Sequence, residues 1–173
     1  MIISVEKAKS LISFPGWTDE KIKMKLKAVE QTIRAYTNNN FQNRCVRSEC
    51  AVIVGDLYGE TNGFNIGDTV QITESKLNGG LHVITAVDEG GISLEEELLD
   101  EDRVLVTKVE YPADVVNCCV DLMEWSVNFA GKVGIKSETL SRHSVTYEDS
   151  ATMFMGYPAS LLGCLKPYRK VRF

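Results

Sequence analysis

Residues 18–36 read TDEKIKMKLKAVEQTIRAY, and they decide the first part of the fold. Apolar side chains recur there at steps of four and three, which places them on one face of an amphipathic helix. They are Ile22, Leu26, Val29, Ile33 and Tyr36. Thr18 is suited to cap this helix, and Asp19 and Glu20 occupy the first turn, where the helix dipole favours acids. Three asparagines at 38–40 predict its end.

A short helix is predicted before this one, and a second long helix is predicted near the other end of the chain. Residues 4–12 suit a short helix that ends before Pro15. Pro112 suits a first helical position, and a new apolar stripe follows it until Gly131. That stripe consists of Val115, Cys119, Leu122, Ser126, Phe129 and Ala130. We expect the stripes of the two long helices to pack against each other.

The segment between the two long helices has the period of two that is typical of β-strands. Five short strands are predicted, at residues 51–54, 69–73, 81–87, 91–94 and 104–109. Turn signals separate them, and Asn78-Gly79-Gly80, set between two alternating runs, is typical of a β-hairpin. Strands of this number and length favour a small antiparallel barrel or sandwich of SH3-like or OB-like size.

The predicted fold class is therefore α+β. It comprises a helical core of two long helices plus short ones, an inserted small antiparallel β-barrel or sandwich, and an extended C-terminal arm. We predict an N-terminal helical part at 1–49, an inserted acidic β-domain at 50–110, a C-terminal helical part at 111–143, and a strand with a docking arm at 144–173.

Composition limits the class of protein. With 173 residues, 44% hydrophobic and 25% charged, the chain has the composition of a folded globular protein. No apolar run approaches the roughly 18 residues of a membrane span, and Glu6 comes too early for a signal peptide. We therefore expect the protein in the cytosol and without a membrane partner. Five cysteines without a CxxC pair are expected to be reduced thiols.

The net charge of −5 is unevenly distributed along the chain. Residues 1–49 hold nine basic and five acidic side chains, whereas residues 50–110 hold three basic and thirteen acidic ones. Residues 111–173 hold seven basic and six acidic side chains. The middle segment is therefore strongly acidic and the flanking segments are weakly basic, which bears on what each surface attracts.

Signals for catalysis or metal binding are weak. His82 lies in a predicted strand, where a structural role is favoured, and no nucleophile motif accompanies His143. The acidic run at 95–102 lacks the Asp-x-Asp-x-Asp-Gly spacing of a calcium loop, and the cysteine spacings do not suit zinc. We predict a protein that is not an enzyme and that needs no metal and no cofactor.

Three stretches in a fixed order resemble a known family. Residues 33–41, IRAYTNNNF, end the first long helix; residues 137–147, SETLSRHSVTY, follow the second; and residues 165–168, LKPY, lie in a basic tail. This arrangement is similar to that of the head–tail connector proteins of tailed bacteriophages and prophages. The resemblance covers the two helical parts and the C-terminal third. The β segment is longer than the loop that the smallest members carry between their helices.

The resemblance implies a structural virion protein, a neck adaptor or head-completion protein, that forms a ring of twelve copies between the portal protein and the tail. The ring would continue the channel through which double-stranded DNA passes without sequence-specific binding. Its partners would be the portal protein, neighbouring copies of itself and the next neck or tail protein. Its location would be the virion neck, and the host cytoplasm during assembly.

Three groups of residues are assigned to this role. The portal-docking arm consists of Tyr157, Leu161, Leu162, Leu165, Lys166, Tyr168, Arg169, Lys170, Arg172 and Phe173. The ring interface, made by the helix stripe and its basic face, contains Lys21, Lys25, Arg34 and Tyr36. The acidic surface of the β-domain contains Glu95, Glu96, Glu97, Asp100, Glu101 and Asp102. We expect this domain to stand outside the ring, and a position lining the lumen is the alternative.

Other functions are retained as alternatives. The barrel could serve as an SH3-like or OB-like binding module of a cytosolic protein, although its acidic charge has the wrong sign for nucleic acid. The chain could instead be another neck or tail-completion protein, such as a stopper or a tail terminator. A hydrolase with His143 as its base would need an activated serine or cysteine that the sequence does not single out.

Overall fold

The computed structural model describes residues 1–129, 137–140, 143–146 and 153–171, and the two short ranges are described by their backbone only. The chain divides into two compact units. The barrel unit contains Met1 and Asn40–Tyr111, and the helical unit contains Ile2–Asn39 and Pro112–Phe173.

The barrel unit is built from six antiparallel strands that form a closed barrel in the order β1-β2-β5-β4-β3-β6. The strands are β1 Gln42–Ile53, β2 Asp56–Gly59, β3 Thr69–Thr73, β4 Gly80–Asp88, β5 Gly91–Leu94 and β6 Glu101–Val109. Because neighbouring strands are all antiparallel, the loops that follow β1, β3 and β5 lie at one end of the barrel. The loops that follow β2 and β4 lie at the other end.

The interior of the barrel is filled by apolar side chains from all six strands and from two loops. The buried residues are Cys50, Val52, Leu57, Phe64, Val70, Ile72, Ile84, Ile92, Leu98, Val104 and Val106. The long strand β1 pairs with β2 near its C-terminal end and with β6 along most of its length. Its pairing with β6 shifts register at two places, and such irregularities allow a long strand to bend around a barrel.

Among its described residues the helical unit has three α-helices and several short elements. The helices are α1 Val5–Leu11, α2 Asp19–Thr37 and α3 Ala113–Phe129. The short elements are the strand pairs β7 Ser137–Leu140 with β8 His143–Thr146 and β9 Met153–Phe154 with β10 Tyr157–Pro158, followed by a 3₁₀ helix at Gly163–Tyr168. Helices α2 and α3 pack against each other, and the 3₁₀ helix packs against both.

The predicted helices are confirmed, with capping that follows from their sequence. The Thr18 hydroxyl accepts a hydrogen bond from the Lys21 N–H at 3.3 Å, and the Ser4 hydroxyl accepts one from the Lys7 N–H at 3.2 Å. Helix α2 ends at Asn38, whose left-handed backbone with φ of 48° is one that asparagine tolerates. The core of this unit consists of Ile22, Leu26, Val29 and Ile33 from α2 and Val115, Cys118, Cys119, Leu122 and Met123 from α3.

The fold class predicted from the sequence is wrong. The structure is dominated by a closed six-stranded barrel, and helix and strand take up similar shares, about 33% and 32%. A helical core that carries a small insertion does not describe this organisation. The prediction missed β2 and the first half of β1, because residues 42–49 are mostly polar and lack the apolar–polar alternation of a strand. It therefore underestimated how much of the chain belongs to the barrel.

The prediction of an extended C-terminal arm is also wrong for the residues that the structure describes. Residues 153–171 form a two-stranded hairpin and a 3₁₀ helix within the helical unit. Leu162 and Leu165 are fully buried, and Tyr157 is 4% exposed. Apolar residues that suggested anchors for a partner instead pack within their own chain, because burial there already removes them from water.

Candidate functional site

An open groove at the surface of the helical unit is lined by three exposed cations. It has a volume of about 790 Å³. Its lining residues come from the end of α2, from the β9–β10 hairpin and from the residues around the 3₁₀ helix. They are Ala35, Tyr36, Asn38, Phe154, Met155, Lys166, Arg169, Lys170 and Val171. We call this feature the basic groove.

Three hydrogen bonds to the backbone of residues 168–170 fix one wall of the basic groove to the end of α2. The Lys170 N–H donates to the Thr37 carbonyl at 2.8 Å, which provides a partner for a carbonyl in the last turn of the helix. The Asn38 side-chain amide donates to the Lys170 carbonyl at 3.3 Å, and the Asn39 amide donates to the Tyr168 carbonyl at 3.2 Å. These bonds use the backbone of residues 168–170, and the side chains of Arg169 and Lys170 are exposed.

The 3₁₀ helix below this wall is held by the core and by α3. Leu162 and Leu165 are fully buried, and the Tyr168 hydroxyl donates to an Asp114 carboxylate oxygen at 3.1 Å. Partial burial, together with the neighbouring Asp114 carboxylate, raises the pKa of Tyr168, so the phenol is neutral at physiological pH. The groove is therefore a formed surface and needs no rearrangement of its backbone.

Aromatic rings and a guanidinium pack against one another inside the groove. The guanidinium carbon of Arg169 lies 5.2 Å from the centre of the Tyr36 ring, which is a cation–π distance. Tyr36 packs edge to face against Phe154, with ring centres 5.2 Å apart. This packing holds Arg169 in position while the outer part of its side chain remains exposed.

The electrostatics of the basic groove favour an anion. Lys166, Arg169 and Lys170 are all exposed, and among the lining residues that the structure describes, none is acidic. The carbonyl end of α2 lies beside these cations and stabilises positive charge there. Arginine forms paired hydrogen bonds with carboxylates, and lysine adds a mobile point charge. The groove can therefore hold an acidic segment that also carries an apolar or aromatic residue.

The predicted docking residues divide into two groups by their placement. Tyr157, Leu162 and Leu165 are buried, and Leu161 and Tyr168 are partly buried. The cations Lys166, Arg169 and Lys170 line the basic groove, whereas Arg172 and Phe173 lie outside the described residues. Of the residues assigned to the ring interface, Tyr36 also lines the groove. Lys21 lies over Trp17 and Lys25 lies over Tyr157, at 4.3 and 5.1 Å from the ring centres, and Arg34 is partly buried.

The predicted acidic surface lies on the barrel unit, and one of its members has a structural role. Glu101 accepts hydrogen bonds from the Ser75 hydroxyl at 2.6 Å, the Lys76 N–H at 2.7 Å and the Asn78 amide at 3.0 Å. The other five acids, Glu95, Glu96, Glu97, Asp100 and Asp102, are exposed. Asn78, which is 6% exposed, also exchanges two hydrogen bonds with the backbone of Leu99. This network joins the loop after β3 to the loop after β5.

The Glu101 network predicts a component of acid sensitivity in the barrel. The Ser75 hydroxyl and the Lys76 N–H hold the pKa of Glu101 below its ordinary value of 4.5. A carboxylate whose pKa is lowered by folding contributes stability that is present above its unfolded value, and this contribution is lost as the pH falls through the folded one. We expect Glu101→Gln to make the decline in unfolding free energy shallower as the pH falls below the ordinary carboxyl pKa of 4.5. Asp102→Asn is the matched control, and equal slopes for the two variants would contradict the assignment.

His82, one of the two histidines of the chain, lies in β4. The His82 Nε2 donates to the Asn78 carbonyl at 3.1 Å, and its Nδ1 lies 3.2 Å from a Glu96 carboxylate oxygen without forming a hydrogen bond. The His143 side chain lies outside the described residues. No group of three or more His, Cys, Asp or Glu side chains among those described is arranged to hold a metal ion.

The five cysteines are free thiols. Cys50, Cys118 and Cys119 are buried, whereas Cys45 and Cys164 are exposed. Burial, with a smaller contribution from the Glu30 carboxylate, raises the pKa of Cys119 to about 12, and burial also raises that of Cys118. The buried thiols are therefore unreactive packing groups.

Several residues of the groove were not predicted to be functional. Asn38 and Asn39 were interpreted only as a helix end, although their amides also hold residues 168–170. Phe154 and Ala35 could not be assigned to the groove, because nothing in the sequence shows whether either side chain lies in the core or at the surface. The repeated asparagines directly after an amphipathic helix are the one usable signal, since the side chains of two of them bind backbone elsewhere.

No known protein family model matches this sequence, and no curated protein matches it at a significant level. In the described residues, no helix has both the length and the apolar character needed to cross a membrane.

Proposed function

We propose that this chain is a head–tail connector of a tailed bacteriophage or prophage, a structural protein of the virion neck. In this role it forms a ring between the portal protein and the tail, and the ring continues the DNA channel. The proposal is supported by the resemblance of residues 33–41, 137–147 and 165–168 to that family. It is also supported by a preformed surface in the segment assigned to portal docking.

The observation that carries the proposal is the basic groove. Three exposed cations that are close in sequence, Lys166, Arg169 and Lys170, lie beside the Tyr36 and Phe154 rings. Three hydrogen bonds fix this wall of the groove to the end of α2. Little conformational entropy is therefore lost when a partner binds there. A groove of this chemistry suits an acidic protein segment with an aromatic or apolar residue, and we assign it to the portal protein. Double-stranded DNA is the competing ligand, and the experiment below separates the two.

The test is a binding titration of the full chain against the portal protein encoded beside it. The variant Lys166→Glu/Arg169→Glu/Lys170→Glu reverses the charge of the groove and leaves the hydrogen bonds to the backbone of residues 168–170 in place. We expect it to weaken portal binding by at least about 100-fold, because close charge pairs in an interface contribute strongly to affinity. Isothermal titration calorimetry at about 0.15 M salt, where distant surface charges are screened, measures this change.

The matched control carries the same change of charge at exposed sites away from the groove, as Lys7→Glu/Arg44→Glu/Lys76→Glu. It should bind the portal within about threefold of the wild type, because rim charges mainly affect the rate of association. Equal losses in both variants would mean that net charge, and not the groove, drives binding. DNA binding by the wild type that the groove reversal abolishes, together with portal binding that the reversal leaves unchanged, would assign the groove to nucleic acid and reject the proposed docking role.

A further inference from the structure

Four apolar side chains lie exposed at one end of the barrel. Ile53 is the last residue of β1 and Val54 lies in the turn after it, whereas Leu77 lies in the loop after β3 and Leu99 lies in the loop after β5. Their exposures are 51%, 84%, 60% and 61%. Single exposed apolar residues are ordinary on a protein surface, but a group of them marks an interaction site. We call this group the barrel crown.

Hydrogen bonds between the loops fix the crown in one arrangement. The Val54 N–H donates to an Asp100 carboxylate oxygen at 2.7 Å, which joins the first loop to the third. The Asn78 side chain donates to the Leu99 carbonyl at 2.7 Å and accepts from the Leu99 N–H at 2.8 Å, which joins the second loop to the third. Surfaces that are ordered before binding lose less conformational entropy on binding. The crown is therefore built as a rigid surface.

Val54 has a backbone conformation that its side chain disfavours. Its φ is 52°, and a β-branched residue in the left-handed region is an outlier. The Val54 side chain is 84% exposed, so it gains almost nothing from burial in its own chain. Strain that brings no benefit to folding is found at sites of function. Val54 is thus placed for a contact outside its own chain.

The surroundings of the crown define the charge of its partner. Exposed acids stand on the same loops and at the adjoining end of β6, and they include Glu74, Glu95, Glu97, Asp100 and Asp102. Lys76 and Arg103 are the basic side chains of these loops and of that strand end, and Arg103 already contacts Glu49 at 2.6 Å. An apolar centre within an acidic rim suits a surface with an apolar centre and a basic rim.

The outer face of α2 in the helical unit has that complementary pattern. Met24, Ala28 and Gln31 form an exposed ridge at helical spacing, and Met24 is 66% exposed. Basic side chains flank the ridge on both sides. They are Lys21 and Lys25 on one side and Lys23, Lys27 and Arg34 on the other. We call this surface the α2 ridge.

We propose that the barrel crown of one copy of this chain binds the α2 ridge of a second copy. Val54 and Leu99 would pack against Met24 and Ala28, while the acids and lysines set the register. Such a contact joins two different surfaces, so each added copy leaves one crown and one ridge open until a ring closes. The inference rests on the proposed connector function, for which it names the contact between neighbouring subunits.

The variant Val54→Asn tests the crown without endangering the fold. Asparagine tolerates the left-handed backbone better than valine, so the variant should unfold at an equal or higher urea concentration. Removal of the central apolar side chain should weaken self-association at least about 10-fold. Sedimentation equilibrium over a range of concentrations measures the self-association of the full-length wild type and of the variant. A wild type that remains monomeric throughout, or a variant that associates as well as the wild type, would overturn the proposal.

Charge exchange tests the pairing of the two surfaces. Glu97→Lys/Asp102→Lys on the crown and Lys21→Glu/Lys27→Glu on the ridge should each weaken self-association, and an equimolar mixture should recover association in complexes that contain both variants. Failure of the mixture to recover association would reject this pairing. Portal binding by the wild-type chain is measured separately, with the groove-reversed variant as its control. Intact self-association with no portal binding would reject the proposed connector function alone, and portal binding without self-association would reject the crown contact alone.

Discussion

Replacement of Leu165 by alanine should lower the free energy of unfolding of the helical unit by about 3 kcal/mol. Leu165 lies in the 3₁₀ helix of the C-terminal segment and is fully buried, as is Leu162. Truncation of a buried leucine removes its transfer free energy and leaves a cavity, and the total is commonly about 2–5 kcal/mol. This effect would be a large share of the roughly 5–15 kcal/mol that stabilises an ordinary domain. The C-terminal segment would then be part of the folded unit.

Tryptophan fluorescence during urea unfolding measures this effect selectively. Both tryptophans of the chain, Trp17 and Trp125, belong to the helical unit, so their signal reports that unit and not the barrel. Val171→Ala is the control, because Val171 is 75% exposed at the surface of the same segment and its truncation should change the midpoint little. An unfolding curve for Leu165→Ala that coincides with that of the wild type would show that the segment is a detachable arm.

Replacement of Gly59 by alanine should destabilise the barrel by about 3 kcal/mol. Gly59 in β2 lies opposite Cys50 in β1, and a Cβ atom at Gly59 would lie 2.6 Å from the Glu49 carbonyl oxygen and 2.7 Å from the Cys50 sulfur. Neither atom can yield easily, because the carbonyl belongs to the β1 backbone and Cys50 is buried in the barrel core. The two strands would have to separate at a point where the barrel is closed.

Hydrogen exchange of the barrel amides measures the loss, because the slowest amides exchange through unfolding of the whole barrel. Gly79→Ala is the matched control in the same barrel. A Cβ atom there would lie 4.0 Å from its nearest neighbour, the Ser75 carbonyl, so the substitution should be nearly neutral. Similar exchange rates in the two variants would contradict the close approach of β1 and β2 at Gly59.

The helices could be predicted from the sequence because their signals are local. A stripe at steps of three and four, an N-cap hydroxyl and an asparagine at the end lie within one segment, and α2 has all three. The closure of the barrel could not be predicted, because it depends on the pairing of β1 with β6, which are far apart in the chain. The polar first half of β1 has no alternation that would distinguish it from a loop. The fold class was therefore wrong although the helices were correctly located.

Only the charged residues of the candidate site could be predicted from the sequence. Lys166, Arg169 and Lys170 were identified from the basic tail, but the aromatic residues near them gave no indication of which would be buried. Tyr157 is buried, where its hydroxyl lies 3.2 Å from that of Ser126, whereas Tyr36 lines the groove. The crown was missed because Leu99 was interpreted as part of an acidic run. An apolar pair inside such a run, Leu98-Leu99, is a signal, since one of the two is buried and the other is exposed.

The most direct test of the connector proposal is the mass of the full chain by light scattering, measured alone and after mixing with the portal protein encoded beside it. The proposal predicts a closed ring of many copies, or a smaller species that binds the portal. In the second case the mass of the portal assembly should increase by the mass of a fixed number of copies of this chain. Lys166→Glu/Arg169→Glu/Lys170→Glu should abolish that increase. A wild-type chain that stays monomeric alone and leaves the mass of the portal unchanged would contradict the proposal.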